Sequence, residues 1–136
     1  MSKSNTTEND ILKMILQGTD PSWRASANAY VALHTADPGE AGTAITSEAT
    51  YTGYGTRVTV AKASAWTDGG SSFSNAAIVQ FPKCTGGTND ITHFSIVTTA
   101  SGAGQILYSG ALSSTLSVSN NVQPQFGIGE LVCTED

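Results

Sequence analysis

Three side chains that could do acid–base chemistry or bind a metal lie in one short stretch, YVALHTADPGEAG at residues 30–42. They are His34, Asp37 and Glu40. Catalysis would need the imidazole and a carboxylate at hydrogen-bonding distance beside a pocket. A metal site would need a third or fourth ligand. The only other histidine in the sequence, His93, belongs to a separate predicted strand.

The same stretch also carries strong turn chemistry in Asp37-Pro38-Gly39. Proline fixes φ, glycine tolerates positive φ, and an aspartate side chain accepts hydrogen bonds from the backbone ahead of it. We therefore interpret the stretch as a strand that runs into a tight turn, with polar side chains facing water. Catalysis and a metal or anion contact remain the alternative hypotheses.

The other candidate motifs predict loops instead of sites. KCTGGTND at 83–90 and TDGGSSFSN at 67–75 do not match a P-loop, which needs Gly-Lys-Ser/Thr before a helix. SGAGQ at 101–105 lies between strands and is no dinucleotide fingerprint. A Gly-x-Ser-x-Gly nucleophile elbow is absent from the sequence. We therefore expect no enzyme activity, no catalytic residue, no cofactor and no metal.

Most of the chain consists of short apolar runs with a period of two. ANAYVALHT places Ala29, Val31 and Leu33 on one face, and QILYSGAL at 105–112 places Ile106 and Tyr108 on one face. Further runs are TRVTVAK, AAIVQF (76–81), THFSIVT, STLSVSNNV and GELVCT. About seven or eight such strands, separated by turns rich in Gly, Asp and Pro, predict a mostly β fold. We expect an antiparallel β-sandwich, jelly-roll-like in form.

One helical pattern lies near the N-terminus, in TTENDILKMILQG. It predicts a helix over residues 7–17, capped by Thr6 or Thr7 and ended by Gly18, after a loose polar arm. A helix this short is marginal alone in water, so its apolar stripe must dock on this domain or on a neighbouring subunit. The residues predicted to contact another protein are Ile11, Leu12, Ile15, Leu16 and Trp23.

Length and charge limit the class of protein. A chain of 136 residues suits one folded domain, and we expect an arm and helix at 1–20 and a single β-sandwich at 21–136. Charged residues make up 12% of the chain, against about 25% in an average domain. The net charge is −5, and the six Lys and Arg residues are scattered. This pattern argues against nucleic-acid binding and against an anionic membrane surface.

Sequence features also bear on where the chain is made. No apolar stretch approaches the ~20 residues that span a bilayer, and the N-terminal MSKSNTTEND lacks the apolar run of a secretory signal. We therefore expect synthesis in a cytoplasm. In that compartment Cys84 and Cys133 are expected to be buried or half-buried free thiols, not a disulfide.

Four segments together resemble a family of small virion proteins of tailed bacteriophages. They are YVALHTADPGEAGT, SEATYTGYGTRVTVAK, SNAAIVQFPKCTGGTNDITHFSI and ASGAGQILYSGAL. The resemblance covers roughly residues 9–136, and members of the family are often labelled tail fibre proteins. It implies a structural component of a phage particle, made in the host cytoplasm.

The resemblance leaves the position on the particle open. Small β-domains with an N-terminal arm are similar in kind to capsid cement or decoration proteins. The chain has neither coiled-coil nor β-helical repeats, which fibres use for length. We therefore predict a cement protein on the outer capsid surface, bound across junctions of the major capsid protein and to neighbouring copies of itself. The alternatives are a tail fibre, a neck, baseplate or other accessory protein, or a sugar-binding module.

Overall fold

The structure, a computed structural model, describes residues 1–135. Strands dominate this range, and the one α-helix of the described chain lies near the N-terminus. The elements are α1 (Asn5–Gln17), a 3-10 turn (Ser22–Arg24), β1 (Asn28–His34), β2 (Val58–Ala61), β3 (Trp66–Asp68), β4 (Ser72–Asn75), β5 (Val79–Gln80), β6 (Asn89–Val97), β7 (Ile106–Val118), β8 (Gln125–Phe126) and β9 (Val132–Thr134).

The strands form three sheets. A four-stranded sheet has the order β2-β1-β6-β7, a three-stranded sheet has the order β3-β4-β9, and β5 pairs with β8. Every one of these pairings is antiparallel. The predicted class, a mostly β antiparallel fold with one short N-terminal helix, is confirmed. β7 and β9 are both edge strands of their sheets.

The larger hydrophobic core lies on one face of the four-stranded sheet. β1 contributes Ala29, Val31 and Leu33 to it, as the period of two predicts. The register places Val31 between Val58 of β2 and Ile96 of β6. Buried residues from outside this sheet complete the core, and they are Ala49, Tyr51, Tyr54, Val79, Phe81, Cys84 and Leu131.

The opposite face of this sheet carries a smaller apolar cluster. Ala44, Val97 and Ile106 are its buried members. We expected Ile106 and Tyr108 to share a face, and this is wrong, because Tyr108 packs against the larger core. The cause is a register shift between Ile96 and Val97, where a bulge reverses the alternation of β7.

Two segments differ from their predicted secondary structure. Residues 67–75, expected to be a Gly-rich loop, belong mostly to the β3–β4 hairpin, and Gly70 in its turn has φ +92°. β-formers on both sides of the two glycines outweigh the loop composition. The two strands expected within 105–119 are one strand, β7, whose register to β6 shifts between Ile91 and His93.

The N-terminal segment is attached to the domain and is not the loose arm that we expected. Ser2 forms a β-bridge with Ser109 of β7, with N–H···O distances of 2.9 and 2.8 Å. The helix begins at Asn5, and the capping side chain is Ser4, not Thr6 or Thr7. Gly18 ends α1 in the left-handed conformation, as predicted. No helix within residues 1–135 is long and apolar enough to cross a membrane.

Both cysteines are free thiols, as the sequence predicts. Cys84 is buried and Cys133 is half-buried. Burial raises the pKa of the Cys133 thiol to about 11, so this thiol stays protonated at neutral pH. A protonated, half-buried thiol is a packing group and not a nucleophile.

Candidate protein-interaction surface

Polar contacts hold the first two turns of α1 against the end of β7. The side chains of Ser4 and Thr7 are buried, and each hydroxyl donates to the carbonyl oxygen of Ile106 over 2.7 Å. The amide of Gln105 donates to Thr7 Oγ1 over 2.8 Å. These bonds fix the position of the helix on the sheet without using its apolar stripe.

Asp10 continues this attachment on the same side of α1. Its carboxylate accepts hydrogen bonds of 2.9 Å from Gln105 Nε2 and from Trp23 Nε1. These bonds, first that of Gln105 and then that of Trp23, lower the pKa of Asp10, with a further contribution from Lys13. Trp23 is half-buried against the larger core, and Lys62 Nζ lies 5.8 Å from its ring centroid. The structure thus places Trp23 as a support for α1 within the chain, and its predicted contact with another protein stays a prediction.

The other side of α1 exposes apolar side chains. Leu12 is 56% exposed, Ile15 69% and Leu16 76%. Spacings of three and four residues place the three side chains on one face of the helix. We call Leu12, Ile15 and Leu16 the α1 apolar face; Ile11, also predicted to make contacts, is half-buried beside it. The sequence predicted that this stripe docks either on its own domain or on a neighbouring subunit. The domain itself leaves the α1 apolar face uncovered.

A second apolar surface opens between the edges of two sheets. It is a groove of about 700 Å³ between β7 and the segment 124–134, which includes β9. We call it the β7–β9 groove. Its lining includes the apolar side chains of Leu33, Phe81, Phe94, Leu112, Leu116, Phe126 and Val132. Glu130 is the one charged side chain that lines it among residues 1–135. No periodicity of the sequence predicts this groove, because it depends on how the edges of two sheets lie against each other.

His34 is buried and works as a structural clamp. Its Nδ1 lies 2.8 Å from the carbonyl oxygen of Thr46, so this nitrogen is the donor, and Nε2 accepts from Ser95 Oγ over 2.7 Å. Burial lowers the pKa of His34. A serine–histidine pair of this geometry resembles an activated nucleophile, but His34 and Ser95 are both 0% exposed. The expectation that the polar residues of this stretch face water is therefore wrong for His34.

Asp37 and Glu40 do not join His34 in a site. Asp37 Oδ1 accepts from the Gly39 amide over 2.9 Å, which confirms the predicted turn, and Gly39 has φ +70°. Glu40 is exposed; its carbonyl oxygen accepts from the Asn5 amide over 2.9 Å. Within residues 1–135 no group of three or more His, Cys, Asp and Glu side chains could hold a metal ion. The turn thus helps to hold the start of α1.

Sequence reasoning missed a buried ion pair that fixes the neighbouring loops. Arg57 binds the Glu48 carboxylate through two nitrogens, over 2.7 and 2.8 Å. The guanidinium also donates to the carbonyl oxygens of Thr99 (2.9 Å) and Gly102 (2.7 Å). Burial raises the pKa of Tyr54, whose hydroxyl donates to Glu48 over 3.0 Å. The spacing of these residues matches no helix or strand period, so the sequence carried no signal for the pair.

One comparison with known proteins finds a match. A protein-family model described as Gp80, podophage GP4 fiber I protein gp80, matches residues 2–134. The matched range contains α1, all nine strands and the residues of both apolar surfaces. No curated protein sequence matches the chain.

Proposed function

Because the chain belongs to the family of the podophage GP4 fiber I protein gp80, whose members are virion structural proteins of tailed phages, we propose that it is a fibre component of such a particle. We further propose that it acts through surface contacts with other virion chains and catalyses no reaction. The observation that carries the contact role is the α1 apolar face, which this domain presents to solvent.

The α1 apolar face is suited to weak contacts that add up. Full burial of an exposed Leu or Ile side chain stabilises a complex by about 1.5–3 kcal/mol. Association costs about 4–15 kcal/mol in lost freedom. Three such side chains therefore barely offset the cost of one isolated encounter. In an assembly whose chains are held together elsewhere, the same contact forms at high effective concentration and becomes stable.

The side chains that could act in catalysis are already bound within the fold, which supports the proposal that the chain catalyses no reaction. His34 and Ser95 are buried and hydrogen-bonded to each other, and His34 also bonds to the carbonyl oxygen of Thr46. Glu48 and Arg57 bind each other and neighbouring backbone. Catalysis would need such groups beside a cavity that a substrate can enter. Here they connect loops to the sheet.

The family match favours a fibre over the capsid cement protein that the sequence predicted. The fibre was the alternative hypothesis, and it agrees with the description of the family as a fibre protein; the cement role is not confirmed. The argument against a fibre was the lack of length in one chain. Contacts between compact copies remove that objection, because an elongated structure can be built from many short domains.

The position on the particle is tested by labelling purified virions with gold-conjugated antibodies against this chain. The images are taken by negative-stain electron microscopy, and antibodies against the major capsid protein serve as the control. We expect label at the tail, with far fewer copies than the major capsid protein. Label spread evenly over the head would overturn the fibre proposal in favour of the cement protein.

The contact role of α1 is tested by incorporation of variants into virions. Leu16→Glu places a charge in the α1 apolar face, whereas Gln17→Glu adds the same charge to an exposed position one residue further. We expect Leu16→Glu to reduce the amount of chain in purified particles at least tenfold, and Gln17→Glu to leave it near the wild-type level. Equal incorporation of both variants would exclude this face from particle contacts.

A further inference from the structure

The start of the chain binds a polar site that the rest of the domain forms. We call residues 1–10 the anchor segment and its binding site the socket. The backbone of Ser2 pairs with the edge of β7, and the hydroxyls of Ser4 and Thr7 donate to one carbonyl oxygen. The Asp10 carboxylate accepts two further bonds. The residues of the socket are Trp23, Glu40, Gln105, Ile106 and Ser109. Because hydrogen bonds are directional, the socket is specific for this segment.

The connection from the anchor segment to β1 is not fastened to the domain by hydrogen bonds. Among residues 1–135, the segment 11–22 makes no hydrogen bond to β1 or to any later part of the chain. Leu12, Ile15 and Leu16 are exposed, and so are residues 17–20. The contacts therefore fix the anchor segment in a socket, but they do not fix which copy of the chain supplies that socket.

We propose that on the assembled particle the anchor segment of one copy occupies the socket of a second copy. Such an exchange replaces each bond within a chain by the same bond between two chains, so it needs no new contact surface. The change of direction takes place after Gly18, which ends α1 in the left-handed conformation. The inference goes beyond the fibre role, because it applies wherever copies lie side by side on a particle.

Local concentration decides between the closed and the exchanged arrangement. A short connection holds its own anchor segment near its own socket at an effective concentration in the millimolar range, roughly. A dilute chain therefore stays closed, whereas neighbouring copies in a particle present their sockets at a comparable concentration. Each copy has one anchor segment and one socket, so the exchange passes from copy to copy. It builds open rows, or rings where the rotation closes.

Disulfide trapping in virions tests the exchange. Ser2 and Ser109 form an antiparallel pair that exchanges both backbone hydrogen bonds. The Cα atoms of such a pair lie about 5.5 Å apart, a separation that a disulfide spans. The test variant combines Ser2→Cys with Ser109→Cys, and Cys133→Ala removes the half-buried thiol. In non-reducing gels of purified virions we expect covalent dimers and larger species, and mass spectrometry should identify the peptides linked through positions 2 and 109.

The same variant as a dilute free chain is the control for geometry. It should form the disulfide within one chain and migrate as a monomer, because the closed arrangement dominates there. The control for position combines Ser2→Cys with Ser117→Cys, an exposed residue of the same strand outside the socket. This pair should give no linked species in virions. Urea unfolding under reducing conditions confirms that each variant is folded.

Virions that contain two kinds of copy sharpen the test. One kind carries Ser2→Cys and the other Ser109→Cys, each with Cys133→Ala. Neither kind can form this disulfide within its own chain. We expect linked dimers and no larger species, because each mixed pair holds one cysteine on the anchor segment and one in the socket.

The length of the connection gives an independent test on the free chain. Deletion of residues 18–20 hinders the return of the anchor segment to its own socket, so sedimentation velocity should show a several-fold larger dimer fraction than for the wild-type chain. Insertion of two Gly-Gly-Ser units after Gly18 eases that return and should leave the chain monomeric. Equal dimer fractions in the two variants would mean that the connection does not control the choice of socket.

Two results would overturn the exchange directly. One is a double variant that carries its disulfide only within single chains in virions. The other is a dilute chain in which positions 2 and 109 never link, which would remove the pairing on which the inference depends. Neither result bears on the gold-label position, so failure of this inference and failure of the fibre proposal are distinguishable.

Discussion

The two halves of α1 are attached to their surroundings in opposite ways. The first half is polar and fixed: Ser4 and Thr7 are buried, and Asp10 accepts two hydrogen bonds. The second half is apolar and exposed, with Leu12 and Leu16 more than half accessible. An amphipathic helix of a monomeric domain usually shows the reverse, with its apolar stripe on the core. The reversal shows that polar contacts position the helix, and it supports our proposal that the apolar face contacts another chain.

The largest effect on folding is expected where the polar half is disrupted. Thr7→Val keeps the shape of the side chain but removes the hydroxyl that bonds to Ile106 and Gln105. Each lost hydrogen bond costs about 0.5–1.5 kcal/mol. Ile106 keeps its bond from Ser4, and Gln105 keeps its bond to Asp10. Urea unfolding should show this loss, and Thr6→Val, at an exposed neighbouring position, should change stability by less than about 0.5 kcal/mol. Equal losses in the two variants would show that the hydroxyl contact does not hold the helix.

We expect a pH-dependent loss of folding stability from His34, which supports the polar half of α1. His34 holds the loop whose residue Glu40 accepts from the Asn5 amide. The folded pKa of His34 lies below its ordinary value of 6.5 because of burial. Between these two values the unfolded chain binds more protons than the folded chain, so stability falls as the pH drops below about 6.5.

Urea unfolding at a series of pH values from about 7.5 to 5 measures this effect. The range lies above the ordinary pKa values of Asp and Glu, about 3.8 and 4.5, so carboxyl groups contribute little. The charged and titratable groups that face His34 are Glu48, Arg57 and His93. His34→Gln should flatten the slope of stability against pH. An unchanged slope in His34→Gln would assign the effect to another group.

A smaller loss of folding stability is expected at Asp10, at the end of the polar half of α1. Asp10→Asn removes the charge that strengthens the hydrogen bonds from Gln105 and Trp23, and should cost about 1 kcal/mol. Gln105→Ala removes one of the same bonds. Because the two residues are in contact, the double variant should lose less stability than the sum of the single variants in urea unfolding. Strict additivity would mean that these residues do not act together.

The smallest effect on folding is expected in the apolar half. Leu16→Glu and Gln17→Glu should both change the free energy of unfolding by less than about 0.5 kcal/mol, because both positions are exposed. The two variants should differ only in assembly. A large loss of stability in Leu16→Glu would mean that this side chain packs within its own domain, and the contrast between the two halves would disappear.

The sequence predicted those features that depend on local periodicity. Alternation in β1 placed Ala29, Val31 and Leu33 in the core, and Gly18 marked the end of α1. The same spacing argument found Ile11, Leu12, Ile15 and Leu16 as one stripe, of which Ile11 is half-buried and the other three are exposed. It could not decide what covers the stripe, because that depends on where the rest of the chain lies.

The features that the sequence missed depend on contacts between distant residues. Ser4 bonds to Ile106, and Arg57 bonds to Glu48 and Gly102, at separations that follow no period. The reversal of faces in β7 comes from a bulge, which the alternation of its residues does not show. The β7–β9 groove exists because two sheet edges meet in space, and strand pairing was not available from the sequence.

Hydroxyl-radical footprinting of purified virions and of the free chain tests the central claim most directly. The method oxidises exposed side chains, and mass spectrometry quantifies the oxidation of Leu12, Ile15 and Leu16 in each sample. The surface-contact account predicts that these three side chains are several-fold less oxidised in the virion than in the free chain, while exposed Ile78 serves as a reference for the general accessibility of the chain. Equal oxidation of the three side chains in both samples would contradict the account.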